Sequence, residues 1–565
     1  MELTITALIE HALRETFSIE GVSFVVEQPK DISHGDYSTN AALVISKQLG
    51  KNPKEIAEAL VTYLEENKTI GIDTITIAGA GFINFSLTKE YFAEQLKTIL
   101  EQQEQWGSSD VHKGKHILVE HSSPNLFKPF HIGHVMNNAI GESIKRLAQA
   151  SSATVTAMTF PSDISLGVAK TIFILLEKFG TDFIPTDLGV LGDSYVEATK
   201  RYDEDESIHA RVKEIADNLY NSTPSPEWTV YQACKKFNIE YFEKITARLG
   251  SHFDTYIYES EAGAVGKEIV LGHVPAVFTE SEGAVVYIPE ESRKDINTAV
   301  FINSQGNPTY EAKDIGLLSM KFHQSPIDLS IFITDNQQVP HFQVVLAAAE
   351  KLHTEWVEKS VHVHHGRMSF KGQKMSSRLG GVPLAETLID TVSEEVLERS
   401  QNSGKEIIAG DIVDEIAIAA LKFSILRAAA GKDINFDPET SLSFEGDSGP
   451  YLQYSTVRAK SILVKAENLD IDFSAAPKEW QTTNLEKMLI HFPEVVTHAI
   501  EAWSPHFIVT YLLELSQAFN SWYGTTKILV EGDDTSPYKV ALTKAFAQTM
   551  TNGLQLLGIK VPSKM

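Results

Sequence analysis

The chain has 565 residues, 43% hydrophobic and 22% charged, which gives room for several domains and a large buried core in an ordinary globular protein. No run of roughly 18 apolar residues occurs, and the lone cysteine, Cys234, excludes an internal disulfide and a multi-cysteine zinc site and fits a reducing compartment such as the cytoplasm. With 75 acidic against 49 basic residues the net charge is −26, which counts against nucleic-acid binding over the surface at large, leaves room for a local basic face, and suits a cationic small substrate.

Residues 1 to about 110 read as a first unit. MELTITALIEHALRETF is an amphipathic helix that carries acids, so neither a signal peptide nor a membrane span is expected there. DISHGDYSTNAALVISKQLGKNPKEIAEALVTYL leads to strand-like ITIAGAGFINFSL, punctuated by Gly79 and Gly81, and KEYFAEQLKTILEQQEQWG supplies a closing helix. The polar stretch SSDVHKGK links this unit to the next.

From Ile117 to Leu147 the chain reads ILVEHSSPNLFKPFHIGHVMNNAIGESIKRL. An apolar run ending at Glu120 predicts a buried parallel strand, and Val135, Ile140, Ile144 and Leu147 carry helical spacing. His131 and His134 therefore share one face of the first helical turn. Gly133 lacks a Cβ, so a flat base could approach the backbone, and a helix N-terminus favours phosphate. Imidazoles at that place can donate to phosphate oxygens, and charge on them stabilises an α-phosphate under attack. Taken alone, two histidines beside a turn are as readily ordinary polar surface.

A second strand is expected over Thr154 to Phe160, followed by FPSDISLGVAK, in which Asp163 reads as a helix N-cap. From about 170 to 300 lies a long insertion whose LGDSYVEATKRYDEDESIHARVKEI is helical with a solvated charged face, and strand-like AVVYIP and TAVFIN return the chain to the core. In GNPTYEAKDIGLL, Tyr310 and Asp314 share a helix face, where a carboxylate can receive a guanidinium with a phenol packed beside it. Surface decoration is the alternative for that pair alone. The three histidines of VHVHHG, residues 361 to 366, split across both faces of a strand, so no metal site is expected. FKGQKMSSRLGG reads as a glycine-hinged loop whose Lys374 can swing onto a leaving pyrophosphate, with a plain basic surface loop as the alternative. Ser504 and Pro505 suit a helix start, and Ile508, Leu512, Leu515, Phe519 and Trp522 form an apolar stripe for bundle packing.

SSPNLFKPFHIGH, Tyr310 with Asp314, GQKMSSRLGG and PYLQYSTVRAKSIL resemble, in order, the signatures of arginyl-tRNA synthetases, and the resemblance continues to the terminal Met565. It implies an α/β fold: a Rossmann-type parallel-sheet catalytic domain over 111–435, an α+β N-terminal domain over 1–110 and an all-α C-terminal bundle over 436–565. It also implies ligation of L-arginine to tRNA(Arg) through arginyl-adenylate, with ATP and Mg²⁺ as a substrate complex. No structural metal and no membrane are expected, and a cytoplasmic monomer is.

Carried onto this sequence, the resemblance gives His131, His134, Lys128 and Lys374 as phosphate-holding catalytic residues, and Gly133, Met375 and Ser376 as ATP contacts. Glu120, Ser123, Asn125, His134, Tyr310, Asp314 and Gln338 would hold arginine. Asn84 and Phe85 in GFINF, with Tyr454 and Arg458, would touch tRNA, although a glycine turn feeding a core strand reads GFINF equally well, and an aromatic such as Tyr523 could stack on unpaired bases or belong to the core. LGSHFDTYIYES, with Asp254 and Glu259, resembles the family as well. Two departures stand out. The second lysine of the loop signature is Ser377, and Lys128 is expected to supply its charge. The GDWGTQ-like run that the family carries after the second strand is reduced to Asp163. Another nucleotidyltransferase with the same box, and a catalytically silent RNA-binding paralogue, are the competing classes. The extra terminal domains count against the first, and the intact His131, His134 and Lys374 against the second.

Overall fold

Ile117, Leu118 and Val119 are at most 4% exposed, which is what a strand covered on both faces requires. In the computed structural model, which describes residues 1–29, 31–324, 326–371, 384–402, 410–466 and 476–565, they lie in β1 (His116–Glu120) at the centre of a five-stranded sheet. Helix α1 (Ile132–Ala150) leads from β1 to β2 (Thr154–Thr159). The remaining strands are β3 (Thr255–Tyr256), β4 (Leu329–Asp335) and β5 (Ser360–His365). The order is β5-β4-β1-β2-β3 and every pairing is parallel, with Glu120 opposite Met158 on β2 and Phe332 on β4.

The chain fills one side of β1 first and then crosses to the other. The gap between β1 and β4 is therefore the topological switch point, where ligands of doubly wound sheets sit beyond the carboxyl ends of the strands.

Between β2 and β3 run four helices, Leu166–Phe179, Leu188–Glu204, His209–Tyr220 and α2 (Pro226–Arg248). They enclose a core of their own that includes Ile172, Leu191, Val212, Ile215 and Tyr231. After β3 come α3 (Glu259–Gly272), an antiparallel sheet of Thr279–Ser281, Ala284–Tyr287 and Ala299–Ile302, and α4 (Tyr310–Gln324). The stretch read as an insertion thus contains β3, a strand of the main sheet too short to show any alternation.

Helices α3 and α4 touch backbone to backbone. A Cβ on Gly266 would lie 1.8 Å from the Ala312 carbonyl oxygen, and one on Gly316 would lie 1.9 Å from that of Ala262. That crossing fixes the helix carrying Asp314. After β4 follows α5 (Val339–Leu352).

The chain forms two compact units. One comprises Ser108–Gln453, Thr497–Thr510 and Leu554–Met565, and holds the parallel sheet. The other joins both ends of the sequence: Met1–Gly107, Tyr454–Val496 and Tyr511–Gly553.

In this second unit a four-stranded antiparallel sheet is ordered Val26–Glu27, Tyr37–Thr39, Phe82–Leu87, Ile72–Ala78. Helices Glu2–Phe17, Ala41–Leu49 and Pro53–Glu66 contribute to its core, with Ile5, Ile9, Ala41, Ile45 and Leu60 at no more than 1% exposure. The C-terminal helices join it through Tyr37, whose hydroxyl donates to Glu494 at 2.7 Å, and through the Lys487–Asp36 ion pair at 2.7 Å.

The stripe Ile508, Leu512, Leu515, Phe519 and Trp522 is buried as its spacing predicts, and Phe519 stacks on Phe546 with centroids 3.9 Å apart. Among the described residues no helix is long and apolar enough to cross a membrane.

Candidate active site

The first turn of α1 is closed by its own histidines. His131 is the N-cap and its Nδ1 accepts from the Gly133 amide at 3.1 Å, while His134 Nδ1 accepts from the His131 amide at 3.1 Å. The ring centroids are 4.0 Å apart. This is a capping box made of imidazoles in place of Ser and Glu. Because both Nδ1 atoms accept, each ring proton lies on Nε2, which is left as a donor. Burial pushes His134 down to about 3, helped by His131, Lys128 and His365, and burial and Lys128 lower His131. The rings are therefore neutral at neutral pH and present Nε2–H as a donor, rather than the charges the sequence suggested.

Gly133 is also shaped by its neighbour. A Cβ there would meet the His131 ring at 3.0 Å, so the glycine makes room for the imidazole.

The turn ahead of α1 is held in an unusual shape. Ser122 has φ +59° and Phe127 φ +65°, conformations that need outside support. Ser122 obtains it from Asn137, whose Oδ1 accepts from its amide at 2.6 Å, and from Asn138, which donates to its Oγ at 3.0 Å. Ser123 Oγ accepts from the Phe160 amide at 3.2 Å, tying the ends of β1 and β2 together. Asn125 and Lys128 are exposed on this turn. The Lys128 ammonium lies 4.5 Å from the centroid of the Tyr195 ring.

Asp163 is not a helix N-cap. Ser165 takes that role by accepting from the Val168 amide at 3.2 Å. Asp163 is fully buried and accepts from the Tyr231 hydroxyl at 2.9 Å, Lys235 at 2.7 Å, and the amide and hydroxyl of Ser260 at 2.9 and 2.7 Å. It ties the end of β2 to α2 and α3, a role invisible without the fold because its partners lie 68 to 97 positions away.

The acids line one small space at the end of β1. Glu120 lines it from β1, Phe332 from β4, Phe342 from α5, and Asp314, Leu317 and Lys321 from α4. The residues from α4 recur at helical spacing on one face. Neither carboxylate stands alone. Glu120 is paired with the buried Lys321 ammonium, and Asp314 accepts from His341 Nε2 at 2.5 Å. Lys321 and His341 are residues that sequence reasoning missed. Lys321 had a signal, seven positions after Asp314 on the same face. His341 had one three positions after Gln338.

Tyr310, on the opening turn of α4, is 56% exposed, is absent from the cavity lining, and lies beneath the Lys313 ammonium at 5.0 Å. Gln338 is exposed just before α5. Of the β5 histidines, His362 bonds to Thr334 at 2.7 Å and stacks on Phe332, His364 bonds to Asn336 Oδ1 at 2.6 Å, and His365 is buried. No group of three metal-ligating side chains gathers among the described residues. Lys374, Met375, Ser376 and Ser377 lie outside the described residues.

In the other unit, Asn84 is 4% and Phe85 0% exposed, and Asn84 Oδ1 accepts from Ser38 at 2.7 Å. These are core positions of the hairpin. A side chain with no exposed surface offers a partner nothing to touch, and the exposed aromatic of that hairpin is Phe82, at 41%. Tyr454 and Arg458 do come together: the Arg458 guanidinium sits 4.7 Å from the Tyr454 ring centroid and 5.5 Å from that of Tyr523, and donates to Asn520 at 2.6 Å.

Comparison with known proteins joins these observations. Residues 95–437 match the family of class I (R) tRNA synthetase catalytic domains, residues 3–87 the arginyl-tRNA synthetase N-terminal domain, and residues 452–565 the DALR anticodon-binding domain. The chain is 31% identical to the arginine–tRNA ligase of Borrelia hermsii, over 98% of this chain and 97% of that one. It is 30% identical to the arginine–tRNA ligase of Flavobacterium psychrophilum, over 91% and 90%. The solved arginyl-tRNA synthetase of Thermus thermophilus shares the fold over 100% of both chains, with a TM-score of 0.81 at 24% identity. That of Plasmodium falciparum does so over 100% of this chain and 99% of its own, at 0.81 and 20%. A switch-point site with paired imidazoles and an acid-lined cavity, in a chain matched from one end to the other, places this protein in the arginyl-tRNA synthetase family.

Proposed function

We propose that the protein ligates L-arginine to tRNA(Arg) in two steps, through arginyl-adenylate and with release of pyrophosphate and AMP. The observation that carries this reading is the cavity at the end of β1, where the Glu120 and Asp314 carboxylates line one space. A substrate with a cationic α-amine and a cationic guanidinium suits two acids, one for each end. In this reading Ser123, Asn125, Tyr310 and Gln338 complete the arginine site around that cavity, and His134 borders both substrates.

ATP arrives as its magnesium complex. The Nε2–H groups of His131 and His134 hold its phosphates, the amide-rich start of α1 favours the same negative charge, and Lys128 supplies a cation beside them. The arginine carboxylate attacks the α-phosphate and pyrophosphate departs toward Lys374, with Met375 and Ser376 near the nucleotide. The adenylate then gives its arginyl group to the 3′-terminal ribose. No covalent enzyme intermediate is needed, because positioning and charge stabilisation carry the rate.

The boundaries 1–110, 111–435 and 436–565 remain our functional division, with the outer two parts contacting tRNA and the chain acting as a cytoplasmic monomer. The cluster of Tyr454, Arg458 and Tyr523 suits an unpaired base, since aromatic faces and a guanidinium both stack on one. Activation is expected to require tRNA.

The test is aminoacylation of bulk tRNA with each of the twenty amino acids. Arginine alone should be charged, and arginine-dependent ATP–pyrophosphate exchange should appear only with tRNA present. Failure to charge arginine by protein that still binds tRNA would move the assignment to a silent paralogue.

A further inference from the structure

The Asp314 carboxylate is held before any substrate arrives. His341, in the first turn of α5, donates Nε2–H to Asp314 Oδ2 at 2.5 Å, and its Nδ1 faces Glu311 Oε1 at 3.6 Å. Both ring nitrogens thus point at carboxylates, which only the doubly protonated ring can satisfy. Burial works against that charge, but the bonds to Asp314 and Glu311 outweigh it and raise His341 to about 10. The other groups facing the ring are Phe342, edge-on at 5.1 Å, and His362 of β5, whose own basicity burial and the neighbouring His364 and His341 depress. Among the described residues Asp314 Oδ1 has no hydrogen-bond partner, and Asp314 lines the cavity.

We propose that His341 is a positioning residue for arginine recognition: by bonding Oδ2 of Asp314 it fixes the carboxylate so that Oδ1 meets the guanidinium, and its charge offsets the Asp314–Glu311 pair while the pocket is empty. The inference rests on the reading of this cavity as the arginine site. A carboxylate free to rotate would meet a planar guanidinium in many poses, and one pinned at a single oxygen presents the other in a defined direction. Binding then costs less ordering, and the effect falls on arginine and not on ATP.

Steady-state charging of tRNA tests this with His341→Ala and His341→Gln, the second placing an amide donor near the position of Nε2. In His341→Ala the KM for arginine should rise about tenfold, the loss expected for one charge-assisted bond, with kcat and the KM for ATP within about twofold. His341→Gln should recover most of that loss, and adding His341→Ala to Asp314→Asn should raise the KM little further, since both remove the same contact. An unchanged KM for arginine in His341→Ala, a Gln variant no better than Ala, a parallel fall in kcat and ATP affinity, or additive effects with Asp314→Asn would each overturn the proposal. Wild-type protein that fails to charge arginine at all would instead overturn the reading of the site itself.

Discussion

The two halves of the candidate site are built on opposite rules. At the start of α1, the groups we assign to the ATP phosphates, Lys374 apart, come from one short run of chain, from Lys128 to His134, and the imidazoles are neutral rings whose acceptor sides are used up by backbone amides. In the acid-lined cavity nothing is local: Glu120, Asp314, Lys321, Phe332 and Phe342 come from four elements, and each acid already has a cationic partner. A phosphate site can be assembled from a turn because helix amides supply most of it. A pocket for a cationic side chain needs buried carboxylates, and those carboxylates need partners of their own to survive burial.

That contrast predicts different responses to damage. The largest is expected from Lys321→Met, which removes the partner of the buried Glu120 and should lower unfolding stability by about 3–5 kcal/mol in chemical denaturation. His134→Ala should leave the fold largely intact but slow adenylate formation about 10²–10³-fold, the usual cost of losing one preorganised donor, as read by ATP–pyrophosphate exchange. Asp314→Asn should raise the KM for arginine about 10–100-fold with a much smaller change in kcat. Away from the sheet, Tyr523→Ala should weaken tRNA binding about tenfold, because one stacking face is lost from Arg458, without altering arginine affinity measured by calorimetry.

The pH profile separates the two halves by sign. His134 is depressed to about 3, so between pH 6.5 and 3 the unfolded chain takes up a proton that the folded chain refuses, and stability falls as the solution is acidified. His341 is raised to about 10, so its contribution is complete below pH 6.5 and is lost as pH rises toward 10. Thermal melts across pH should therefore lose their alkaline slope in His341→Gln and part of their acid slope in His134→Asn.

What could be read from the residues follows the same division. β1, α1 and β2 announce themselves by apolar runs and helical spacing, and the strand expected over Thr154 to Phe160 is observed as Thr154–Thr159. The stripe from Ile508 to Trp522 is equally plain, because period alone decides which face is buried. β3 escaped notice because Thr255–Tyr256 offers no period at all. Asp163 was misread because an acid shortly before a helix looks like a cap, whereas the cap is Ser165 and the acid is a buried junction among Tyr231, Lys235 and Ser260. Asn84 and Phe85 look available to a partner in a glycine-flanked stretch, but both are buried, Phe85 in the hydrophobic core and Asn84 against Ser38. Spacing puts Lys321 on the face of Asp314, but its pairing with Glu120 on β1, 201 positions away, becomes visible only once the fold brings β1 and α4 together.

The measurement that bears most directly on this account is a structure of the protein soaked with a non-hydrolysable arginyl-adenylate analogue. The guanidinium should lie within about 3 Å of Asp314, and the α-phosphate mimic should accept from Nε2 of His131 or His134. An analogue seated with its guanidinium away from both Asp314 and Glu120 would contradict the account.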